Sequence, residues 1–465
     1  MFKHILTLIL LCVSVAVNAQ SSRSFVQNVR TTQIMLNDEW GQLPVMQLGS
    51  DDVLHFSFDE MSHVYHRYTY RIVHCNADWS QSDLMEMDYL EGFNDIPVDE
   101  WENSVNTTQL YTHYEFSIPN EDVVLKASGN YRVDVFDDEQ DVDLPVASFE
   151  FSVVEPLVSF EAWVSGDTDW SFNEGHQQVS FAARYPSFVA SPASELKAVV
   201  YQNNRRDNAV VKLTPTYVTG DKVEYVHNDR LIFDAGNEYR RFEIADPNSP
   251  GEGIEDVVYA DSYYNAVLYM DKPRVSHSNY RDENGRFFVN TFEGLGTPIE
   301  ADYMNVHFAL DIPRRQDGEF YLLGDFCGNG FNDMNKLFYD EEGGYYFTSL
   351  PLKMGVYNYA YVWVSSTSGR VENVPAEGNF FNTENEYQIY MYYRGFGDRA
   401  DRLLGVHRVR YCINSLSYKK AGCIDDAARL LVWNIPIIIC LLCVARYTKC
   451  LSFQSAVLLQ CFGMS

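Results

Sequence analysis

The sequence predicts an all-β protein built from tandem β-sandwich domains of the immunoglobulin-like or early-set type, followed by an atypical C-terminal tail. Apolar and polar residues alternate in many short segments, among them "NYRVDVFDD" (130–138) and "VYNYAYVWV" (356–364). These segments are rich in aromatic residues and are bounded by Gly, Asn, Asp and Pro, and long helical patterns are almost absent before residue 420. Period-two alternation with frequent turns is typical of half-buried antiparallel strands that pack as sandwiches.

The first nineteen residues, 1–19, are predicted to be a secretory signal peptide. Lys3 and His4 give a short basic start, and an apolar run from Ile5 to Val17 precedes a small residue, Ala19. The run is too short to span a bilayer, and the small residues at its end suit cleavage after Ala19. We therefore expect the mature chain to be exported.

Two breaks divide the mature chain into segments of sandwich size. One break is the Glu155–Pro156 pair, and the other lies in "FEGLGTPIEADY" (292–303). A sandwich of the immunoglobulin type needs about 100 residues, which fits between these breaks. The predicted sandwich domains are therefore residues 24–155, 156–293 and 294–411.

The segment 412–465 is the atypical tail. It carries six of the nine cysteines and has lost the aromatic alternation. Its apolar run, Leu430–Ala445, is interrupted by Asn434 and Pro436 and is shorter than the roughly twenty residues of a membrane span. Two interpretations stay open, a marginal anchor and a sequence that does not belong to the fold.

The charge of the chain limits the classes of partner. The formal net charge is −30, which argues against nucleic acid or anionic lipid as a partner. Disorder is not indicated, because 46% of the residues are hydrophobic and 15% are aromatic. Before the tail, the mature chain contains only Cys75 and Cys327, so we expect no disulfide framework.

His74, Cys75 and Asp78 lie close together in "YRIVHCNADWSQSDL" (70–84), which raises the question of a metal site or a thiol nucleophile. The alternation puts His74 and Cys75 on opposite faces of one strand, so they cannot readily share an ion. Ligand pairs with zinc spacing are missing from this stretch. The favoured prediction is that Cys75 is a core residue and His74 a hydrogen-bonded turn residue.

Several other motifs allow both a structural and a functional interpretation. The acidic segment Asp137–Asp143 could hold calcium, but it lacks the spacing of an EF-hand loop, and a solvated loop tip is favoured. We find no serine–histidine–aspartate set, phosphate-binding loop or G-x-G-x-x-G motif in a usable context, so no enzyme activity, cofactor, metal or small-molecule substrate is expected.

Two charged loops are the candidate partner-binding sites. "GDRADR" (397–402) is either an ion-pair cluster that closes the last sandwich or an anchoring patch for a partner. "FDAGNEYRRFEI" (233–244) is either a turn between strands or a recognition loop, because binding residues concentrate on loops held by rigid sheets. The candidate partner-binding residues are Asp398, Arg399, Arg402, Asn237, Glu238 and Arg240.

The chain resembles the type IX secretion system plug protein family of Bacteroidetes over roughly residues 24–410. The stretches that carry the resemblance include "YRIVHCNADWSQSDL", "YLEGFN", "YTHYEFSIPN", "SGNYRVDVF", "FDAGNEYRRFEI", "EFYLLGDF" and "YYRGFGDRADRLLGV". Ala400 departs from the family pattern, which has an aromatic residue there, and the tail from about Cys412 is foreign to the family. The resemblance implies a non-enzymatic periplasmic protein at the outer membrane that binds and blocks the periplasmic mouth of the barrel translocon.

The third segment has a second resemblance. "EFYLLGDFCGNGFNDMNKLFYDEEGGYYFTSLPLKMGVYNYAYVW" is similar to early-set sandwiches of the glycogen-binding type. That resemblance implies a platform for stacking sugars on Phe331 and Trp363. The alternative function is therefore a carbohydrate-binding β-sandwich protein of the cell envelope.

Overall fold

The computed structural model describes residues 22–139, 144–291 and 298–411. The predicted signal peptide, the end of the acidic segment Asp137–Asp143 and the predicted tail lie outside the described residues. Within those ranges the chain is nearly all β, with two short α-helices, α1 (Glu86–Tyr89) and α2 (Pro192–Glu195). The predicted all-β fold of sandwich domains is confirmed.

The first sandwich contains two main sheets. Its strands in chain order are β1 (Ser22–Ser24), β2 (Val29–Leu36), β3 (Val45–Gln47), β4 (Leu54–Glu60), β5 (Tyr68–Cys75), β6 (Leu90–Gly92), β7 (Ile96–Pro97), β8 (Glu100–Asn103), β9 (Thr112–Ile118), β10 (Val123–Leu125), β11 (Gly129–Asp137) and β12 (Ala147–Val154). One sheet has the order β1-β12-β11-β5-β7, with β3 beside β12, and the other has the order β2-β4-β9-β8. Aromatic side chains from both sheets fill the core between them, where Phe56 stacks on Phe116.

The second sandwich takes its strands from two distant parts of the chain. They are β13 (Ser159–Ser165), β14 (His176–Arg184), β15 (Leu196–Gln202), β16 (Arg205–Leu213), β17 (Tyr217–Thr219), β18 (Lys222–Tyr225), β19 (Ile232–Asp234), β30 (Glu386–Tyr393) and β31 (Arg402–Arg410). The sheets have the orders β13-β14-β18-β17, with β19 beside β14, and β16-β15-β30-β31. Tyr387, Ile389 and Met391 of β30 are buried in the core of this sandwich.

The third sandwich lies between those two parts of the chain. Its strands are β20 (Arg240–Ile244), β21 (Ile254–Ala260), β22 (Tyr263–Leu268), β23 (Phe287–Val289), β24 (Tyr303–Leu310), β25 (Gly318–Leu323), β26 (Phe338–Asp340), β27 (Tyr345–Lys353), β28 (Gly355–Ser365) and β29 (Val371–Glu372). One sheet has the order β21-β22-β24-β27-β26, and the other is built around the long strand β28. Tyr357, Tyr359, Tyr361 and Trp363 of β28 are all buried, so this alternating face points inward.

The third sandwich is thus an insertion into the second. The chain leaves the second sandwich after β19 and returns at β30, which pairs with β15 along its whole length. The segment that leaves the second sandwich lies beside the segment that returns to it. A hydrogen bond of 2.8 Å from the Phe380 amide to the Gly236 carbonyl shows this contact. The sheets therefore divide the chain differently from the sequence-based boundary at residue 293. Alternation reports which face of a strand is buried, but it does not identify the strand that pairs with it.

Candidate functional site

His74 and Cys75 lie at the end of β5 and are both buried. The two nitrogens of His74 lie 2.9 Å from the Ser82 hydroxyl and 3.2 Å from the Ser128 carbonyl, and burial lowers the pKa of this imidazole. Burial also raises the pKa of the Cys75 thiol to about 12, so it is not a ready nucleophile. The predicted core cysteine and the hydrogen bonds of His74 are confirmed, but His74 lies within β5 and not in the turn that follows it.

The turn after β5 packs against the second sandwich. The Ala77 amide donates to the Asp401 carboxylate over 3.0 Å, and the Trp79 indole donates to the Tyr201 hydroxyl over 3.3 Å. The Arg206 guanidinium lies 3.5 Å from the centre of the Trp79 ring. Such a stack is worth about 2 kcal/mol when it is desolvated. The motif that suggested a metal or thiol site is therefore part of the joint between two sandwiches.

The "GDRADR" loop forms the other side of this joint. The buried Asp401 carboxylate lies 2.6 Å from the Lys197 ammonium. Arg402 lies 2.7 Å from Glu155, and Arg399 lies 2.6 Å from Asp88. Arg402 and Arg399 thus connect the second sandwich to the first, whereas the sequence left open a cluster that closes a single sandwich.

The same joint exposes large apolar side chains that were not among the predicted partner-binding residues. Phe396 is fully exposed at the tip of the loop between β30 and β31. Met85, Met87 and Phe93 of the first sandwich are exposed by 62%, 73% and 72%. We call these four residues the apolar patch. A phenylalanine between two glycines, as in "GFG" (395–397), was the available signal, because its neighbours provide no side chain to cover it.

The second predicted recognition loop is used inside the protein. Asn237, Glu238 and Arg240 are all buried where the chain enters the third sandwich. The Asn237 amide donates to the Glu377 carbonyl over 3.0 Å, and Arg240 pairs with Glu377 over 2.9 Å. Burial raises the pKa of Glu238 to about 7. The structure thus places these polar groups at an internal joint, where they hold the third sandwich at its point of insertion.

A buried ionic cluster joins the first and third sandwiches. The Lys353 ammonium and the Tyr303 hydroxyl each lie 2.6 Å from one oxygen of Asp59, and His113 Nδ1 lies 2.6 Å from the other oxygen. Burial alone would raise the pKa of Asp59, but Lys353 and His113 outweigh it and hold this pKa below its usual value. Tyr111 completes the cluster with its ring 4.3 Å below the ammonium.

The buried carboxylate of Glu386 joins the second sandwich to the third. Glu386 at the start of β30 is paired with Arg286 of the third sandwich over 3.2 Å and with Arg408 and Arg410 of β31 over 2.7 and 2.9 Å. Burial opposes ionisation, but the arginines dominate and lower the pKa of Glu386 to about 2. The carboxylate is therefore ionised at any physiological pH, and it ties β30 and β31 to the residue before β23.

The residues proposed for sugar stacking lie in different places. Trp363 is a core residue, 2% exposed, and packs edge-on against Phe320. Phe331 is partly buried and packs against Tyr321. A sugar platform needs exposed rings, so Trp363 cannot take the role that the second resemblance implied.

The described residues offer neither a cluster of metal ligands nor a membrane-spanning helix. In those ranges no group of three or more His, Cys, Asp and Glu side chains is placed to hold a metal ion. The described part of the chain also contains no helix that is long and apolar enough to cross a membrane.

Burial raises the pKa of the Cys327 thiol to about 12.

Comparison with solved structures finds a strong match to this chain. A hypothetical protein from Parabacteroides merdae ATCC 43184 is 39% identical, has a TM-score of 0.82, and is matched over 84% of this chain and 99% of that chain. The C-terminal domain of Streptococcus agalactiae AgI/II polypeptide BspA is 8% identical with a TM-score of 0.14, over 82% of this chain and 100% of that chain. Dimeric latent PorU from Porphyromonas gingivalis is 9% identical with a TM-score of 0.15, over 82% of this chain and 34% of that chain. The last two scores are too low to support an argument.

The family match agrees with the resemblance seen in the sequence. Residues 29–155 match the model of the type 9 secretion system plug protein 1st domain. No curated protein matches the chain. The matched family is a secretion plug family. Its name implies that its members associate with the type IX secretion machinery in the cell envelope. The chain belongs to the type IX secretion system plug protein family.

Proposed function

We propose that this protein is a non-enzymatic periplasmic plug that binds the periplasmic mouth of the outer-membrane type IX translocon and blocks it. The family match over the first sandwich is the observation that carries the proposal. A plug acts by filling space, so its working property is a stiff body of the right shape and not a reactive group. The joints between the sandwiches supply that property.

Each pair of sandwiches is fixed by buried polar contacts. Asp59 and Lys353 join the first and third sandwiches, and Arg286 and Glu386 join the second and third. The first and second are joined by a hydrogen bond of 2.8 Å from the Tyr392 hydroxyl to the Asn130 side chain. A buried polar group that loses its partner costs several kcal/mol, so each contact resists separation of the sandwiches. Such a body excludes volume without refolding.

The charge of the chain suits reversible binding. A net charge of −30 would steer the protein toward a basic pore mouth and raise the association rate. Reversible plugging also calls for a moderate, partly polar interface. Association should therefore slow as salt is added, and a complex whose association rate does not change with salt would contradict this part of the proposal.

The proposal is tested by purifying the tagged protein from an outer-membrane extract at low and high salt. The expected main partner is a very large β-barrel protein. A deletion strain that lacks the plug should have a leakier envelope than its parent strain, because the pore would stay open. Recovery of no barrel, together with unchanged leakiness, would overturn the proposal.

A further inference from the structure

We propose that the apolar patch is the docking surface of the plug, and that Phe396 inserts into an apolar pocket rimmed by Lys and Arg side chains on the translocon. This inference rests on the proposed function, and it names the part of the plug that makes the contact. It differs from the sequence-based candidates, which were charged or polar residues.

Polar contacts bring the four apolar side chains together from two sandwiches. Met85 and Met87 lie in a segment that two ion pairs tie to the Phe396 loop. Asp83 lies 4.0 Å from Arg394, and Asp88 lies 2.6 Å from Arg399. These contacts hold the methionines beside the loop that carries Phe396.

Phe93 belongs to the same surface. The side-chain amide of its neighbour Asn94 donates to the Glu86 carboxylate over 3.2 Å. The Lys126 ammonium donates to the Met87 carbonyl over 2.9 Å, which fixes the methionine segment from the other side. The four exposed apolar residues therefore belong to chain segments that polar contacts bring together at this joint.

The Phe396 loop is ordered without any packing of its aromatic ring. The Asp398 carboxylate accepts a hydrogen bond from the Gly395 amide over 2.8 Å, and Arg394 donates to the Arg399 carbonyl over 3.1 Å. Gly397 has a φ of +88°, which a residue with a side chain would rarely adopt. A ring held outward by a preorganised loop loses little conformational entropy on binding, which is what an anchor residue requires.

The surroundings of the patch indicate the chemistry of its partner. Four acidic residues are exposed around it and outnumber the exposed Arg399 and Lys126, so a basic rim would complement the patch; they are Asp83, Glu86, Glu91 and Asp398. Methionine side chains adapt to irregular apolar surfaces, and aromatic residues dominate the energy of interfaces. An anionic lipid surface would be repelled by these acidic side chains. A protein pocket is therefore the occupant that fits best.

The experiment compares Phe396→Ala with Phe172→Ala in binding to the purified translocon. Phe172 is a suitable control because it is exposed by 71%. The Tyr387 hydroxyl donates to Gln177 over 2.8 Å, which brings the starts of β30 and β14 together. Phe172 precedes β14 and Phe396 follows β30, so the two rings lie at opposite ends of the second sandwich.

We expect Phe396→Ala to weaken binding about tenfold and Phe172→Ala to leave it unchanged, with equal melting temperatures for both variants. A photoreactive phenylalanine analogue should crosslink to the translocon from position 396 and not from position 172. If the wild-type protein binds and both alanine variants bind equally well, the docking surface is wrong and the proposed function stands. If the wild-type protein does not bind, both fail.

A membrane partner is distinguished by flotation with vesicles of zwitterionic lipid, alone or with anionic lipid. We expect no flotation of the wild-type protein with either. Flotation that Phe396→Ala abolishes would assign the patch to lipid and overturn the inference.

The substitution Glu91→Lys reverses one charge at the edge of the patch and should slow association with the translocon. An unchanged association rate would count against the basic rim of the pocket.

Discussion

The Lys353 ammonium lies 2.6 Å from the Asp59 carboxylate, and neither side chain is more than 1% exposed. Lys353 ends β27 of the third sandwich and Asp59 lies in β4 of the first, so the pair closes a joint between strands almost three hundred residues apart. Hydrogen bonds to Tyr303 and His113 satisfy the remaining acceptor capacity of the carboxylate. This joint supports the proposed role of the protein as a stiff body.

Replacement of Lys353 by methionine should destabilise the protein strongly. Removing one partner leaves the Asp59 charge buried, which costs about 3–5 kcal/mol. The double variant Asp59→Asn, Lys353→Met should recover part of that loss, because no uncompensated charge is left. Urea unfolding monitored by tryptophan fluorescence measures both changes.

Lys336→Met is the matched control for this prediction. Lys336 pairs with Glu319 over 3.0 Å at a site where the glutamate side chain is 46% exposed. An exposed pair is worth about 0–1 kcal/mol, so the control should change the unfolding free energy little. Equal effects of Lys353→Met and Lys336→Met would show that the buried pair does not hold the joint.

Glu386 should make the stability of the protein depend on acid pH. Its pKa is about 2 in the folded protein against an ordinary value of 4.5, so the folded state favours the ionised form. The stability that this provides is complete above about pH 4.5 and is lost as the pH falls toward 2. The difference in unfolding free energy between wild type and Glu386→Gln should be roughly 3 kcal/mol at pH 7 and narrow below pH 4. Denaturation curves at several pH values measure it, and a difference that is constant with pH would refute the assignment.

The topology predicts which fragments can fold alone. Residues 236–383 contain all the strands of the third sandwich and its core, so this fragment should unfold cooperatively and show a near-ultraviolet circular dichroism signal. Residues 294–411 lack β20–β23 and include β30 and β31 without β15, so they should not. A folded 294–411 fragment with an unfolded 236–383 fragment would contradict the insertion.

Arg206 should stabilise the joint between the first and second sandwiches. Arg206→Ala removes the stack on Trp79 and the strongest of the cations that act on the buried Glu150 carboxylate, for a loss of about 3 kcal/mol. Arg206→Lys keeps the charge and should lose about 1 kcal/mol, because an ammonium cannot stack as a planar guanidinium does. Unfolding free energies give both values.

Arg184→Ala is the control for that series. Arg184 and its partner Asp221 have side chains that are 51% and 68% exposed, so its loss should change stability by less than about 1 kcal/mol. If Arg206→Ala is as mild as this control, the stack does not stabilise the joint.

The sequence predicted the strands well because alternation records which side chains a sheet buries. The inward face of β28, from Tyr357 to Trp363, is an example. The pairing of β15 with β30 left no local trace, because register between strands almost two hundred residues apart depends on the whole core. The insertion of the third sandwich therefore could not be predicted from composition or breaks in the chain.

The candidate site was harder to predict for a related reason. Asn237, Glu238 and Arg240 have the composition of a recognition loop, but internal joints between domains use the same polar residue types. Phe396 was not predicted as a binding residue, because a single aromatic residue in a glycine-rich loop can be either buried or exposed. Only the folded chain reveals that Phe396 is fully exposed beside three other apolar side chains.

The central claim is that this protein blocks a pore by occupying its mouth. The most direct measurement is the ionic current through the purified type IX translocon in a planar bilayer, with the protein added to the periplasmic side. A plug should lower the current as it is added, and the current should return when the protein is washed away. A current that is unchanged at saturating protein would show that this protein does not block the pore.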